Sequence, residues 1–162
     1  MSLAIDWLRA GRGENPMVYL DDTFRYAYAR LRQREDAEDI AIEVVQALPN
    51  PCNRRDLRIY MIGMARRKVA DRLRKSRPEL TVREHEVRFD GFADDAAIVS
   101  IVLGELSDEH REALIMKYVI GLSSTEIGAL TGKNSAAVDS TLQRARAAFV
   151  RQWEQQGNEV VR

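Results

Sequence analysis

The stretch 123–149 constrains the fold most, because its local signals set the boundaries of two helices. Ser123 and Glu126 have the spacing of a capping box, which satisfies backbone donors where a helix begins. Gly132 suits the left-handed conformation that ends a helix, and Ser135 is a candidate cap for the next one. This pattern predicts a helix-turn-helix, and an ordinary helical hairpin is the alternative.

The second helix of this motif has one apolar face and one face of small and polar residues. The apolar positions, which recur at helical spacing, are Val138, Leu142, Ala145 and Phe149. The outward positions are Ala136, Ser140, Gln143, Arg144 and Ala147. Small and polar side chains on such a helix favour insertion into the major groove of DNA.

Length and composition restrict the class of protein. A chain of 162 residues, 45% of them hydrophobic, can form one domain or two small domains with a buried core. No apolar run reaches membrane-spanning length, and the first residues lack a secretory signal. The single cysteine fits a reducing cytoplasm, and the spacing of Cys and His predicts no metal site. No phosphate-binding loop or nucleophile motif is present, so we expect neither an enzyme nor a cofactor.

The net charge is zero, but the charges are segregated along the chain. Ten basic and two acidic residues give the segment 54–77 a charge of +8. The segment 79–112 reverses this balance, with ten acidic residues and three arginines. Since a phosphate backbone responds to the local patch, the neutral total does not argue against nucleic-acid binding.

The hydrophobic pattern predicts an all-α fold of two small helical domains joined by a flexible acidic linker, with the helix-turn-helix in the second domain. We expect a first domain over 1–76, a linker over 77–99, a second domain over 100–155 and a tail over 156–162. Before the helix-turn-helix, helices are predicted over Leu20–Arg32, Asp36–Leu48, Leu57–Lys75, about Asp94–Leu106, and from a cap at Ser107 to about Val119. Two prolines require a loop over 49–55.

The predicted helix Leu57–Lys75 has a basic face opposite its apolar stripe. The stripe consists of Ile62, Ala65, Val69 and Leu73. The residues that face away are Tyr60, Met64, Arg67, Lys68, Asp71, Arg74 and Lys75. Cations beside an aromatic ring and a thioether suit a phosphate backbone with exposed bases, and a solvated helix face is the alternative.

The preceding helix has an apolar stripe of Ile40, Val44 and Ala47. Ile42 and Val45 are expected to point outward, beside Glu38, Asp39 and Gln46. An exposed apolar pair among carboxylates favours a protein partner, because the carboxylates would repel DNA.

Taken together, these blocks resemble a bacterial RNA polymerase sigma factor of the small, two-domain extracytoplasmic-function type. The resemblance extends from about Trp7 to Trp153. It rests on "FRYAYARLRQREDAEDIAIEVV", "LRIYMIGMARRKVADRLRK", "LSDEHREALIMKYVIGLSSTEIGAL" and "VDSTLQRARAAF".

The resemblance implies three binding surfaces. Core polymerase would contact Asp36, Glu38, Asp39, Ile42, Val45 and Gln46. The downstream, minus-ten promoter element would contact Asn50, Asn53, Arg54, Arg55, Tyr60, Arg67, Lys68, Arg74 and Lys75, with Asn50 and Asn53 offering polar groups to a flipped base. The upstream, minus-thirty-five element would contact Ser135, Ala136, Asp139, Ser140, Gln143, Arg144 and Arg146.

The chain departs from the family pattern where Asp139–Thr141 replaces a common Lys-Ser-Arg. This change predicts weak or unusual binding of the upstream element, with Asp139 reading cytosine. The alternatives are a sigma mimic that binds an anti-sigma factor without using DNA, and a plain helix-turn-helix regulator. The expected partners are core polymerase and promoter DNA, with an anti-sigma factor as a further candidate. We expect a cytoplasmic protein without membrane insertion, and no additional regulatory domain after the last helix.

Overall fold

The computed structural model describes residues 15–49, 55–76 and 93–160. Within these ranges the chain forms helices and turns and no β-strand. The chain divides into two compact units, Met1–Val82 and Arg83–Arg162. The all-α prediction is confirmed.

The first unit contains three α-helices: α1 (Leu20–Leu31), α2 (Arg34–Gln46) and α3 (Leu57–Lys75). A 3-10 turn, Pro16–Tyr19, precedes α1, and its Met17 N–H donates to the Asn15 side chain at 3.0 Å. The three helices agree with the predicted ones to within two residues at each end, because their apolar periodicity is strong.

The core of the first unit lies where the three helices meet. Its fully buried side chains include Tyr26 of α1, Ile40 and Val44 of α2, and Met61 and Ile62 of α3. Each such side chain contributes about 1.5–3 kcal/mol through its burial. Asp22 of α1 also accepts a hydrogen bond from Arg58 Nε at 2.7 Å, which ties α1 to the first turn of α3.

Two expectations about α2 are wrong. Val45 is only 6% exposed and belongs to the core, whereas Ala47, expected in the apolar stripe, is exposed. The reason is that α2 packs against both α1 and α3, so its buried face is wider than a single stripe and includes Ala37 and Ala41. Ala47 is the C-cap, beyond the last helical turn.

The second unit contains α4 (Ala93–Glu105), α5 (Asp108–Leu114) with a π-helical turn (Ile115–Val119), α6 (Ser124–Thr131) and α7 (Ser135–Val160). The long helix α7 packs against α4, α5 and α6. Their shared core includes Val102, Met116, Leu122, Ile127 and Leu142.

The junction between α4 and α5 is fixed by one arginine and one serine. Arg111 donates to the carbonyls of Leu103 and Gly104, both at 2.7 Å, and to that of Leu106 at 3.1 Å. These are carbonyls at the end of α4, which lack partners within the helix. Ser107 caps α5 as predicted, accepting from His110 N–H at 3.3 Å.

The predicted linker falls mostly outside the described residues, since 77–92 are not among them. Helix α4 begins at Ala93, within the last part of the segment interpreted as linker, and α7 continues to Val160, into the segment interpreted as a tail. The division into domains at these boundaries stays a prediction. No helix in the described ranges combines the length and the hydrophobicity that a bilayer-spanning segment requires.

Candidate nucleic-acid and protein interfaces

The helix-turn-helix predicted for the second unit consists of α6, a turn at Gly132 and α7. At the start of α6, Ser123 N–H donates to Glu126 Oε2 at 2.7 Å, and Glu126 N–H donates to Ser123 Oγ at 3.2 Å. The predicted capping box is therefore confirmed. Gly132 ends α6 with φ +72°, in the left-handed region where a Cβ is unfavourable.

The cap of α7 is Asn134, not Ser135 as expected. The Asn134 Oδ1 accepts a hydrogen bond from Ala137 N–H at 2.8 Å, and Ser135 is the first residue of the helix. Asparagine and serine are both good N-caps, and the choice depends on which residue keeps an extended backbone before the helix. Ser135 is exposed, so its predicted position at the DNA surface is unaffected.

The predicted outward face of α7 is exposed. Ala136, Ser140, Gln143, Arg144 and Ala147 all lie on the solvent side, whereas Val138, Leu142 and Ala145 are buried. Phe149 is half-buried, and its ring stacks on that of Trp153 with centroids 6.0 Å apart. A helix so placed presents small and polar side chains to a groove, supported from behind by α5 and α6.

Asp139 and Arg146, on one flank of α7, have different neighbours. Asp139 accepts a hydrogen bond from the Ser124 hydroxyl, which links α7 to the first turn of α6. Arg146 Nη1 donates to Tyr118 Oη at 3.0 Å, beside an apolar groove of about 370 Å³. The groove lies within the second unit and is lined by Val99, Leu103, Leu114, Ile115, Tyr118, Val119, Arg146, Phe149 and Val150. Thus Arg146 contacts the groove wall, whereas Asp139 lies at the junction of the two helices.

In the first unit, the outer face of α3 carries an exposed Arg67 and an exposed Lys75. Arg67 Nε donates to the Gly63 carbonyl at 3.4 Å, and Arg74 is ion-paired with Asp71 one turn away. Tyr60 and Met64 are half-buried on the same side. This arrangement offers cations beside an aromatic ring and a thioether, as the sequence predicted.

Unlike Arg67 and Lys75, Lys68 forms an ion pair with an acidic residue of α2. Its Nζ lies 2.8 Å from Glu43 Oε2. Arg72, one turn further along α3, is 3.4 Å from Glu43 Oε1, is paired with Asp36, and lies 4.0 Å from Asp39. The hydrogen bond from Lys68 is the largest factor that lowers the pKa of Glu43 below its ordinary value of 4.5, so Glu43 is charged at neutral pH.

Sequence reasoning missed this network because Glu43 and Arg72 had no assigned role. The available signal was spacing: Lys68 and Arg72 are four residues apart, and Asp36 and Glu43 are seven apart, so each pair shares one side of its helix. The pairing of the two sides follows only from the packing of α2 on α3.

The acidic surface of α2 is narrower than expected. Ile42 is 51% exposed, and Glu38, Asp39 and Gln46 are exposed around it, whereas Val45 belongs to the core. Glu38 pairs with Arg34 at 2.7 Å on the same helix. The exposed surface therefore has one apolar residue among polar ones.

The loop preceding α3 lies mostly outside the described residues, including Asn50, Asn53 and Arg54. Arg55, the first residue described after it, is exposed beside the first turn of α3. The expectation that this loop captures a base stays a prediction.

Comparison with known proteins agrees with this geometry. Residues 102–149, which include the helix-turn-helix, match the family model for sigma-70, region 4. The probable RNA polymerase sigma-C factor of Mycobacterium bovis is 30% identical over 141 residues, covering 80% of this chain and 76% of that protein. The ECF RNA polymerase sigma factor SigW of Bacillus subtilis is 27% identical over 159 residues, covering 83% and 84%.

A solved structure has the same fold. The sigma factor RpoE of Bartonella quintana, crystallised with the anti-sigma factor NepR, superposes with a TM-score of 0.63 at 18% identity, over 85% of this chain and 93% of that one. The chain belongs to the extracytoplasmic-function sigma factors of RNA polymerase. Its function is therefore that of a sigma factor, which directs core polymerase to promoters when transcription begins.

Proposed function

We propose that three surfaces of this sigma factor bind three different partners. The acidic surface of α2 binds core RNA polymerase, the outer face of α3 binds the melted downstream element, and the exposed face of α7 binds the upstream element. The first unit then acts as sigma region two and the second as sigma region four. The protein works without catalysing a reaction, in the cytoplasm together with the polymerase.

The observation that carries this proposal is the exposed face of α7. Ala136, Ser140 and Gln143 are all exposed on a helix whose other side is packed and whose start is capped by Asn134. Small side chains at these positions allow a close approach to base edges, and Gln143 and Arg144 supply hydrogen-bond donors. Charge supports the other two assignments. The cations on α3 attract phosphate, which favours DNA, whereas the carboxylates on α2 repel phosphate, which favours a protein partner.

An anti-sigma factor is a further candidate partner. RpoE, which shares the fold, is bound to such a protein in its crystal structure. The sigma mimic, the alternative raised from the sequence, would apply only if the exposed face of α7 failed to bind DNA; Asp139, a carboxylate on the helix that would approach phosphate, is the residue that raises it.

The assignment of α2 is tested by reversing its exposed charges. Glu38→Lys with Asp39→Lys should abolish co-purification with core polymerase and remove run-off transcripts, because the surface would then repel a basic partner. Both side chains are exposed, so the helical content measured by circular dichroism should not change.

Glu154→Lys, an exposed reversal of one charge on α7, is the control and should leave core binding intact. Retention of core polymerase by the double variant would show that α2 is not the docking surface. Core binding by the wild-type protein without any promoter-dependent transcript would favour the mimic.

A further inference from the structure

We propose that Glu43 restrains DNA binding by holding two cations of α3 in ion pairs. The proposal rests on the proposed function in one respect, namely that α3 binds promoter DNA. It assigns to Glu43 a role that limits how strongly the free sigma factor binds phosphate.

The geometry places Glu43 between both cations. One carboxylate oxygen is 2.8 Å from Lys68 Nζ, and the other is 3.4 Å from Arg72 Nη2. Arg72 also pairs with Asp36 and lies 4.0 Å from Asp39, so three carboxylates of α2 face two cations of α3. Each cation that neutralises a carboxylate contributes less to the field that attracts phosphate.

The ion pairs are accessible enough for phosphate to compete with them. The side chains of Lys68 and Glu43 are 32% and 43% exposed. Lys68 is next to Arg67 of the outer face and one turn from Met64. Rotation of the aliphatic part of the Lys68 side chain would therefore bring its ammonium group to the outer face. Partly exposed pairs of this kind are weak, so phosphate can displace Glu43, and the restraint amounts to about fivefold in affinity at most.

The test measures how strongly the full chain binds a labelled single-stranded DNA of mixed sequence at several salt concentrations. Glu43→Gln should bind more tightly than wild type, since Lys68 loses its carboxylate partner, while Arg72 keeps its pair with Asp36. The slope of log K against log salt should steepen by about 0.7 for each additional phosphate contact. If Glu43 served only to hold α2 on α3, Glu43→Gln would disturb the position of α3 and bind DNA more weakly than wild type. The proposal predicts the opposite change in affinity.

Glu35→Gln is the matched control, because it removes the same charge from an exposed position on the same helix. A gain in Glu43→Gln no larger than in Glu35→Gln would overturn the proposal. Lys68→Ala supplies a second measurement: it should cost little in the wild-type background and clearly more in the Glu43→Gln background. Equal cost in both backgrounds would also overturn it.

Arg67→Ala separates this proposal from the assignment of α3. Weaker binding in Arg67→Ala without a gain in Glu43→Gln would leave α3 as the DNA-binding helix and refute the restraint. A gain in Glu43→Gln with no loss in Arg67→Ala would support the restraint and count against the proposed outer face.

Discussion

At the scale of single residues, one hydrogen bond affects how the Asp139 carboxylate can interact with DNA. From the sequence, a carboxylate at this position either repels phosphate or reads cytosine. The structure adds a hydrogen bond from the Ser124 hydroxyl, which fixes the direction of the carboxylate relative to α6. An oriented carboxylate can accept from the amino group of one base and discriminate against the others.

This leads to a prediction about base choice. If Asp139 reads cytosine, Asp139→Asn should cost about 1–3 kcal/mol on the preferred upstream duplex and relax the preference at one base pair. Ser124→Ala, which removes only the orienting hydroxyl, should give a smaller loss at the same base pair. Fluorescence anisotropy with a set of duplexes that differ at single positions measures both effects. Tighter binding of Asp139→Asn to every duplex alike would instead identify Asp139 as a repulsive neighbour.

At the scale of elements, the helix-turn-helix depends on the close approach of its turn to α6. Gly128 of α6 is buried, and a Cβ at this position would overlap with the backbone carbonyl oxygen of Lys133. Because the obstacle is backbone, it cannot be relieved by turning a side chain. The whole turn would have to move away from α6.

Gly128→Ala should therefore destabilise the second unit by about 1–3 kcal/mol, the usual cost of overpacking, and should weaken binding to the upstream element. Urea unfolding and duplex binding measure the two effects. Ala129→Ser is a suitable control, because it adds an atom at the adjacent exposed position and should change stability by no more than about 0.5 kcal/mol. An unchanged midpoint for Gly128→Ala would mean that the turn is not fixed by this approach.

At the scale of the whole molecule, each unit contains an ion pair between its elements that depends on a glutamate. Glu43 links α2 to α3 in the first unit, and Glu109 of α5 pairs with Lys133 in the turn of the second. In each case the hydrogen bond from lysine is the largest factor that lowers the pKa of the carboxyl group below 4.5. A carboxyl group with a lowered pKa stabilises the folded state above its unfolded pKa, and this stabilisation is lost as the pH falls through the folded value.

We therefore expect the free energy of unfolding to decrease as the pH falls below about 4.5. For the second unit, Glu109→Gln should make this decrease shallower, while lowering stability at neutral pH only slightly, since the pair is exposed. Trp153 fluorescence in a Trp7→Phe background reports unfolding of the second unit. The same acid dependence in Glu109→Gln and in the parent protein would exclude a contribution from this pair.

The sequence by itself determined the three helices of the first unit to within two residues, the helix-turn-helix and the exposed face of α7. These features follow from local chemistry: apolar periodicity in α3, the capping box of Ser123, and a glycine at position 132. Such signals act between residues a few positions apart, so they can be identified from the sequence without the tertiary structure.

Only the tertiary structure decided which residues of α2 are buried and which cations of α3 are paired. Val45 is in the core because α2 packs against two helices, and the single stripe assumed from periodicity was too narrow. Glu43 meets Lys68 and Arg72 across 25 and 29 residues of sequence. No local pattern specifies such a meeting, because it depends on the direction in which one helix crosses another.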